Sequence, residues 1–379
     1  MTATKFLCID DQQDSSVDDL LLNLENNGPV RFVRRAPQGL DQQLPTIAEF
    51  VKEAKGGAIG LLIDLRLDVD PDSDGNRVAY RGPTLAQEIR TRMTEGELPS
   101  FPIVLWSVNG KFRQSYFGDE TSHDLFDEVL GKDEEVVAAP GDVALKLASL
   151  AWGYVALVNV TERDALHRLG LEGANDAPVY ARFASEYLDI VGTKGKHEIA
   201  HLVLKELIGA EGLLITEGML AARLGVDVGA SAEAWFQLKD ALKGAMYAGP
   251  FCEGWARWWW YRVEDWWASI SDGKADLKRL TAAERVERLT AALGGNLVPA
   301  EPIDASYSTK YSTLCVATDR PLDPIDGLRV VRRSARGWHD AVYVSVYGAL
   351  ERKNKDRWRL DPLERDRFDR IKEERSKEK

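Results

Sequence analysis

The feature that most constrains the fold is a short apolar run, residues 58–65 (AIGLLIDL), which follows a glycine pair and contains one carboxylate, Asp64. A continuous apolar run of this length is typical of a parallel β-strand that is covered on both faces. In an open parallel sheet the functional crevice lies outside the carboxyl ends of the strands. Asp64 is therefore predicted to lie at the centre of a functional site.

Four more apolar segments alternate with helical patterns in the first 158 residues. The strands are predicted at residues 5–9, 30–33, 58–64, 102–107 and 126–130, and the helices at 17–27, 47–54, 84–90 and 140–158. Strands that alternate with helices predict a doubly wound α/β sheet with parallel strands.

The charge is unevenly distributed along the chain. The net charge of the 379 residues is −12, and residues 1–150 contain 15 Lys and Arg against 26 Asp and Glu. An acidic half disfavours binding to a phosphate backbone there and suits a cation site. The three cysteines are widely spaced, and we find neither a signal peptide nor an apolar run long enough to cross a bilayer. A cytoplasmic protein with no membrane contact is therefore expected.

Reactive residues stand at the ends of four predicted strands: Asp10 and Asp11, Asp64, Ser107, and Lys132. Carboxylates from two strands can hold a Mg²⁺ ion that keeps several of its waters. Such a cation offsets the charge of an incoming phosphoryl group, so a further carboxylate can attack phosphorus. A hydroxyl and an ammonium group can then bind the phosphoryl oxygens.

The order of these motifs resembles one protein family. Residues 4 to about 158 are similar to the receiver domain of two-component response regulators, through the segments CIDD (8–11), LIDLR (62–66), LWS (105–107) and LGK (130–132). The resemblance implies a flavodoxin-like five-stranded sheet. The chain departs from the family pattern at Val108, at Val129 in place of a switch aromatic, and at Asp133 in place of a proline. The loop after Asp64 and the region of the fourth helix are also longer than usual.

The resemblance assigns a role to each site residue. Asp64 would accept the phosphoryl group, and Asp10, Asp11 and the backbone carbonyl of Arg66 would join it as Mg²⁺ ligands, while Ser107 and Lys132 would contact the phosphate. The donor would be a histidine kinase or a phosphotransfer protein. The alternative is a degenerate receiver that serves as a docking module.

The rest of the sequence, after the receiver domain (1–158), predicts three further parts. They are a mainly α-helical output domain (159–297), a β-rich segment (298–349) and a charged helix or tail (350–379). Six of the eleven tryptophans lie between residues 255 and 267. Trp255, Trp258, Trp259 and Trp266 would share one helix face as core, and Trp260 and Trp267 would lie off it. Because this half is nearly neutral and rich in tryptophan, we expect an output through a partner protein. A homodimer is a candidate assembly for this protein.

Residues 197–201 match the pattern H-E-x-x-H. On a helix, His197 and His201 could share a zinc ion, with Glu198 as the general base of a metallopeptidase. However, Gly195 places the motif at the start of a helix, and no third ligand is evident. The alternative is an amphipathic helix with exposed histidines.

Residues 213–247 have the pattern of a helix-turn-helix, with Gly225 in the turn. The second helix would carry Lys239 and Lys243 but no arginine, whereas DNA contacts normally use Arg, Lys, Asn or Gln on that surface. DNA binding is therefore an alternative output, and we do not expect nucleic acid to be the partner. Two packed helices explain the pattern equally well.

Overall fold

The structure is a computed structural model that describes residues 4–12, 15–71, 75, 77–108, 124–132, 135–171, 178–271, 276–332 and 335–377. The chain divides into two compact units. The first contains Met1–Glu172, Ala184–Lys205 and Ala248–Trp255, and the second contains Gly173–Phe183, Glu206–Tyr247 and Ala256–Lys379. The first unit therefore extends beyond residue 158, where the sequence predicts the end of the receiver domain, to Glu172, and it includes two further segments.

The first unit is built on a five-stranded parallel sheet. The strands are β1 (Thr4–Ile9), β2 (Val30–Arg35), β3 (Ile59–Asp64), β4 (Ile103–Ser107) and β5 (Glu128–Gly131). Their order across the sheet is β2-β1-β3-β4-β5, and every neighbouring pair is parallel. The predicted parallel α/β sheet is confirmed.

The helices of this unit are α1 (Ser16–Asn27), α2 (Leu40–Glu53), α3 (Gly82–Thr94), α4 (Glu135–Ala138) and α5 (Pro140–Val158), and of these only the short α4 was not predicted. α2 begins seven residues earlier than predicted, although Pro45 lies inside it. Leu44 is buried in the core of this unit, and its burial stabilises the first turns of the helix.

Sheet and helices share an apolar core that includes Leu61, Ile63 and Ile89. β3 is buried along its whole length, as its continuous apolar run predicts. Gly60 lies in this strand because a Cβ atom there would come within 2.2 Å of the ring of Phe6.

One described helix, α5, is long and apolar enough to cross a membrane, so the expectation that no run reaches that length is wrong. The structure buries 56% of its apolar window. A mostly buried helix of this kind belongs to the core of a soluble, globular protein.

The remaining helices are α6 (Ala165–Leu169), α7 (Pro178–Thr193), α8 (Lys196–His201), α9 (Glu217–Leu224), α10 (Ala232–Ala241), α11 (Trp260–Ile270), α12 (Ala282–Leu293), α13 (Val346–Leu350) and α14 (Arg365–Lys377). A π-helical segment, Leu202–Ile208, follows α8. The charged α14 has no buried residue.

The β-structure of the second unit consists of two-stranded antiparallel pairs. β6 (Leu214–Ile215) pairs with β7 (Trp258–Trp259), β8 (Thr313–Leu314) with β9 (Pro321–Leu322), and β10 (Gly327–Arg329) with β11 (Tyr343–Ser345). The second unit is thus helical with small sheets, as the sequence predicts for this half.

The predicted tryptophan face is wrong. Trp258 and Trp259 form β7, and the helix begins only at Trp260, whose N–H donates to the carbonyl of Leu213 at 2.9 Å. Trp260 and Trp267, which the helical pattern sets off the core face, are buried. Pairing with β6 draws the chain out of the helix, a tertiary effect that the spacing of the tryptophans does not reveal.

Candidate functional site

The predicted site residues lie at one edge of the parallel sheet. Asp10 and Asp11 follow β1, Asp64 ends β3, Ser107 ends β4 and Lys132 follows β5. β1 and β3 are neighbours, and the chain continues outward from them in opposite directions, to β2 on one side and to β4 and β5 on the other. The carboxyl ends at this reversal point form the crevice in which doubly wound sheets bind their ligands.

Lys132 joins two of the carboxylates. Its Nζ lies 2.6 Å from Oδ2 of Asp10 and 2.8 Å from Oδ1 of Asp64, and it also lies 4.7 Å from the centre of the Trp106 ring. Burial acts to lower the pKa of Lys132, but the charges of Asp64 and Asp10 outweigh it and hold the pKa above its usual value. Lys132 is therefore a fixed cation between the carboxyl ends of β1 and β3.

Asp64 is buried with only 11% of its side chain exposed. Its Oδ2 accepts a hydrogen bond from the N–H of Arg66 at 3.0 Å. Burial raises the pKa of Asp64 from 3.8 to about 6, with Asp10 adding to the rise and Lys132 opposing it. The ammonium group therefore offsets only part of the cost of an ionised Asp64 in this position.

Asp10 and Asp11 anchor backbone on either side of the site. Oδ1 of Asp10 accepts from the N–H of Gln12 at 3.0 Å. Oδ2 of Asp11 accepts from the N–H groups of Val69 and Asp70, at 2.8 and 2.9 Å. Asp11 thus ties the end of β1 to the loop that follows β3.

The cluster is acidic, and carboxylates are among the ligands that Mg²⁺ uses in proteins. Asp10, Asp11 and Asp64 are all buried, and Lys132 pairs with two of them, Asp10 and Asp64. Within the described ranges, no three His, Cys, Asp or Glu side chains are grouped as a complete set of metal ligands. Mg²⁺ does not need such a set, because it is usually held by one or two carboxylates and keeps several waters. The assignment of Asp10, Asp11, Asp64 and the carbonyl of Arg66 as Mg²⁺ ligands stays a prediction.

Two departures from the receiver pattern can be located. Val108 directly follows β4 with 41% of its surface exposed, and Val129 is half-buried in β5. Asp133 and the expanded region 109–123 lie outside the described residues. Ser107 is buried, and its carbonyl accepts from the N–H of Lys132 at 3.0 Å.

Both ring nitrogens of His197 have partners in the first unit. Nδ1 lies 3.1 Å from the hydroxyl of Tyr154, and Nε2 lies 3.1 Å from the carbonyl of Asp124. Nε2 of His201 lies 3.3 Å from the carboxylate of the same Asp124. Burial, followed by the charge of Arg90, lowers the pKa of His197 to about 4. These contacts hold the His197 ring within the first unit, and the zinc site with Glu198 as base stays a prediction.

The sequence reading missed the centre of this network, Asp127. Its Oδ2 accepts from Arg90 at 2.7 Å and from the N–H of Ile103 at 2.8 Å, and its Oδ1 accepts from the hydroxyl of Tyr154 at 2.7 Å. Burial acts against the charge, but Arg90 and His197 outweigh it and lower the pKa of Asp127. The available signal was one acid inside an apolar strand segment, which normally means a paired carboxylate.

The two helices predicted within residues 213–247 are α9 and α10, and Gly225 ends α9 with a φ of +76°, while the helix-turn-helix itself stays a prediction. Lys239 pairs with Glu217 at 2.7 Å, and Lys243 pairs with Asp240. The lysines that would contact DNA are therefore neutralised by acids of the same unit.

No protein-family model matches the sequence, and no curated protein is similar to it. The sheet and the buried acidic cluster are therefore the basis for a functional assignment.

Proposed function

We propose that the first unit is a receiver of flavodoxin-like fold that accepts a phosphoryl group on Asp64 in a Mg²⁺-dependent phosphorelay. The donor is a histidine kinase or a phosphotransfer protein, and the protein acts in the cytoplasm. The second unit is the output domain, and it acts through a partner protein.

The single observation that carries this proposal is the buried cluster of Asp10, Asp11, Asp64 and Lys132 at the reversal point of the sheet. The strand order 2-1-3-4-5 is that of flavodoxin-like sheets, which bind their ligands at this position. A buried carboxylate held by a single ammonium group is suited to attack phosphorus, because its charge is only partly neutralised.

In the proposed reaction an oxygen of Asp64 attacks phosphorus. A new P–O bond forms an acyl phosphate, and the bond from phosphorus to the donor breaks with its electron pair staying on the donor. A pKa of about 6 leaves Asp64 mainly ionised at neutral pH. Lys132 stays beside the oxygens of the new group. Mg²⁺ held by Asp10 and Asp11 would offset the charge of the phosphoryl oxygens.

Phosphorylation would also change the loop after β3. The N–H of Arg66 donates to Asp64, and Asp11 holds the N–H groups of Val69 and Asp70. A phosphoryl group on Asp64 adds charge and acceptor oxygens between these two anchors. We expect this loop to carry the change in place of the usual aromatic switch, since β5 has Val129 at that position.

A protein partner is favoured for the output by the surface of α10. Phe236 on this helix is 70% exposed, whereas Lys239 is neutralised by Glu217. An exposed aromatic side chain beside neutralised charges suits a protein interface better than a nucleic-acid surface.

The test is the intact mass of the full chain after incubation with acetyl phosphate and Mg²⁺. The wild type is expected to gain the mass of one phosphoryl group, and hydroxylamine should remove it because an acyl phosphate is labile. Asp64→Asn should gain nothing. Asp19→Asn is the matched control, because Asp19 is an exposed carboxylate on α1 of the same unit.

An adduct of equal yield in Asp64→Asn would show that another residue is modified. If neither acetyl phosphate nor a phosphorylated phosphotransfer protein modifies the folded wild type, the docking-module alternative replaces this proposal.

A further inference from the structure

The second unit contains a cavity of about 470 Å³ that the sequence did not predict. Its volume lies in the range of small-molecule sites. Its walls include the aromatic side chains of Tyr180, Trp260, Tyr311 and Trp338. They also include the ion pair of Arg223 with Asp340.

Arg223 is held in the wall of this cavity by three contacts. Its Nε donates to the carbonyl of Ser312 at 3.2 Å, its Nη2 pairs with the carboxylate of Asp340, and its guanidinium group lies 4.5 Å from the ring of Trp260. Only 9% of its side chain is exposed. Nη1 is not hydrogen-bonded to any described residue, so a fixed guanidinium group keeps unused donors at the cavity wall.

A second arginine lies behind the wall. Arg285 is fully buried and donates to the carbonyls of Arg223, Tyr311 and Leu277, at 2.8, 2.7 and 3.0 Å, and all three acceptor residues line the cavity. No carboxylate of the described residues forms an ion pair with it, and burial lowers its pKa to about 10. The wall therefore carries positive charge that an anion inside the cavity would stabilise.

The aromatic rings are also held in place. The hydroxyl of Tyr311 donates to the carbonyl of Ala300 at 3.1 Å, Nε1 of Trp338 donates to the carbonyl of Glu206 at 2.9 Å, and the hydroxyl of Tyr180 accepts from the N–H of Tyr261 at 3.1 Å. Because the polar atoms of these rings are used outside the cavity, the surfaces left for a ligand are flat and apolar.

We propose that this cavity binds a small planar aromatic carboxylate. The ring of the ligand lies among the tyrosine and tryptophan side chains, and its carboxylate accepts hydrogen bonds from Nη1 of Arg223. The other charged residues of the lining, Glu264 and Lys278, have opposite signs and add no net charge. This site does not depend on phosphorylation of Asp64.

The test is isothermal titration of the full chain with indole-3-acetate and benzoate, each compared with its neutral amide, and with benzylamine as a cationic probe. The carboxylates are expected to bind about tenfold more tightly than their amides, because charge-assisted hydrogen bonds are about twice as strong as neutral ones. Arg223→Lys, which keeps the charge but loses the planar fork, should weaken carboxylate binding about tenfold.

Two further variants separate binding from folding. Ala341→Trp fills the cavity from a half-buried position and should abolish binding while circular dichroism stays unchanged. Arg262→Lys is the control, because Arg262 lies 5.6 Å from the ring of Tyr261 but does not line the cavity. Equal binding of carboxylate and amide, tighter binding of benzylamine, unchanged binding in Ala341→Trp, or no binding of any probe would each overturn the proposal. If Arg223→Lys does not fold, Ala341→Trp and the amide comparison decide.

Discussion

Replacing Asp64 with asparagine is expected to stabilise the first unit at neutral pH when Mg²⁺ is absent. The pKa of Asp64 rises on folding from 3.8 to about 6, so the folded state binds the proton more tightly than the unfolded state. The stability that this group contributes is present below pH 4 and is lost as the pH rises through 6. Asparagine resembles the protonated form and does not undergo this loss.

The size of the effect follows from the pKa difference. A shift of about two units corresponds to about 3 kcal/mol at pH 7. The attraction to Lys132 is already included, since it opposes the rise in the pKa of Asp64. Only 11% of the side chain is exposed, so solvent screening reduces the figure little. We expect Asp64→Asn to be more stable by about 2–3 kcal/mol.

The assay is urea unfolding in EDTA at pH 7 and pH 4, followed by hydrogen exchange of peptides from β1 and β3. These peptides report the first unit alone, which matters because a chain of two units need not unfold in one step. The difference in the free energy of unfolding between Asp64→Asn and the wild type should be large at pH 7 and close to zero at pH 4. Mg²⁺ should narrow the gap at pH 7, because it stabilises the form that binds it.

A variant that is less stable than the wild type at pH 7, or a gap of the same size at both pH values, would refute this reasoning. Asp19→Asn should show no gap that changes with pH, since Asp19 is exposed.

Three further predictions concern the first unit. The pKa of His197 is lowered to about 4, so the stability that the neutral ring contributes is present above pH 6.5 and is lost as the pH falls to 4. His197→Gln should therefore remove up to about 3 kcal/mol of the loss of unfolding free energy in acid, measured by urea unfolding. Gly82→Ala should destabilise the unit by about 1–3 kcal/mol in urea and slow the reaction with acetyl phosphate, because its Cβ would lie 2.3 Å from the carbonyl oxygen of Asp64. Asp127→Ala should cost about 3–5 kcal/mol in the same unfolding assay, because it leaves Arg90 buried without its partner.

Each of these changes has a control. His201→Gln should leave the acid sensitivity of urea unfolding unchanged, because His197 is its source. Gly141→Ala adds a Cβ that would meet its nearest atom at 3.6 Å, so it should not destabilise. Asp124→Asn changes a carboxylate that is 83% exposed and should cost little. A control that behaves like its paired variant would contradict the corresponding prediction.

Much of the secondary structure of the first unit could be predicted from the sequence, because it depends on the pattern of neighbouring residues. The buried run of β3 and the alternation of strands with helices follow from side-chain periodicity. The position of the reactive residues at the carboxyl ends of four of the five strands follows as well, because parallel strands end at one edge of a sheet. The sequence did not reveal that Lys132 bridges Asp10 and Asp64, or that Asp11 holds the loop after β3.

The part of the chain after residue 158 shows what side-chain periodicity does not predict. Trp255, Trp258, Trp259 and Trp266 have helical spacing, yet Trp258 and Trp259 form a strand because β6 supplies their hydrogen bonds. The His197 motif has the spacing of a zinc site, yet its ring contacts Tyr154 and Asp124, residues that are distant in sequence. The cavity around Arg223 combines segments that have no common pattern. Sequence by itself determined the strands of the parallel sheet and the residues at their carboxyl ends, since both depend on near neighbours. Tertiary structure alone decided which charges are paired and which surfaces are enclosed, because both depend on contacts between distant parts of the chain.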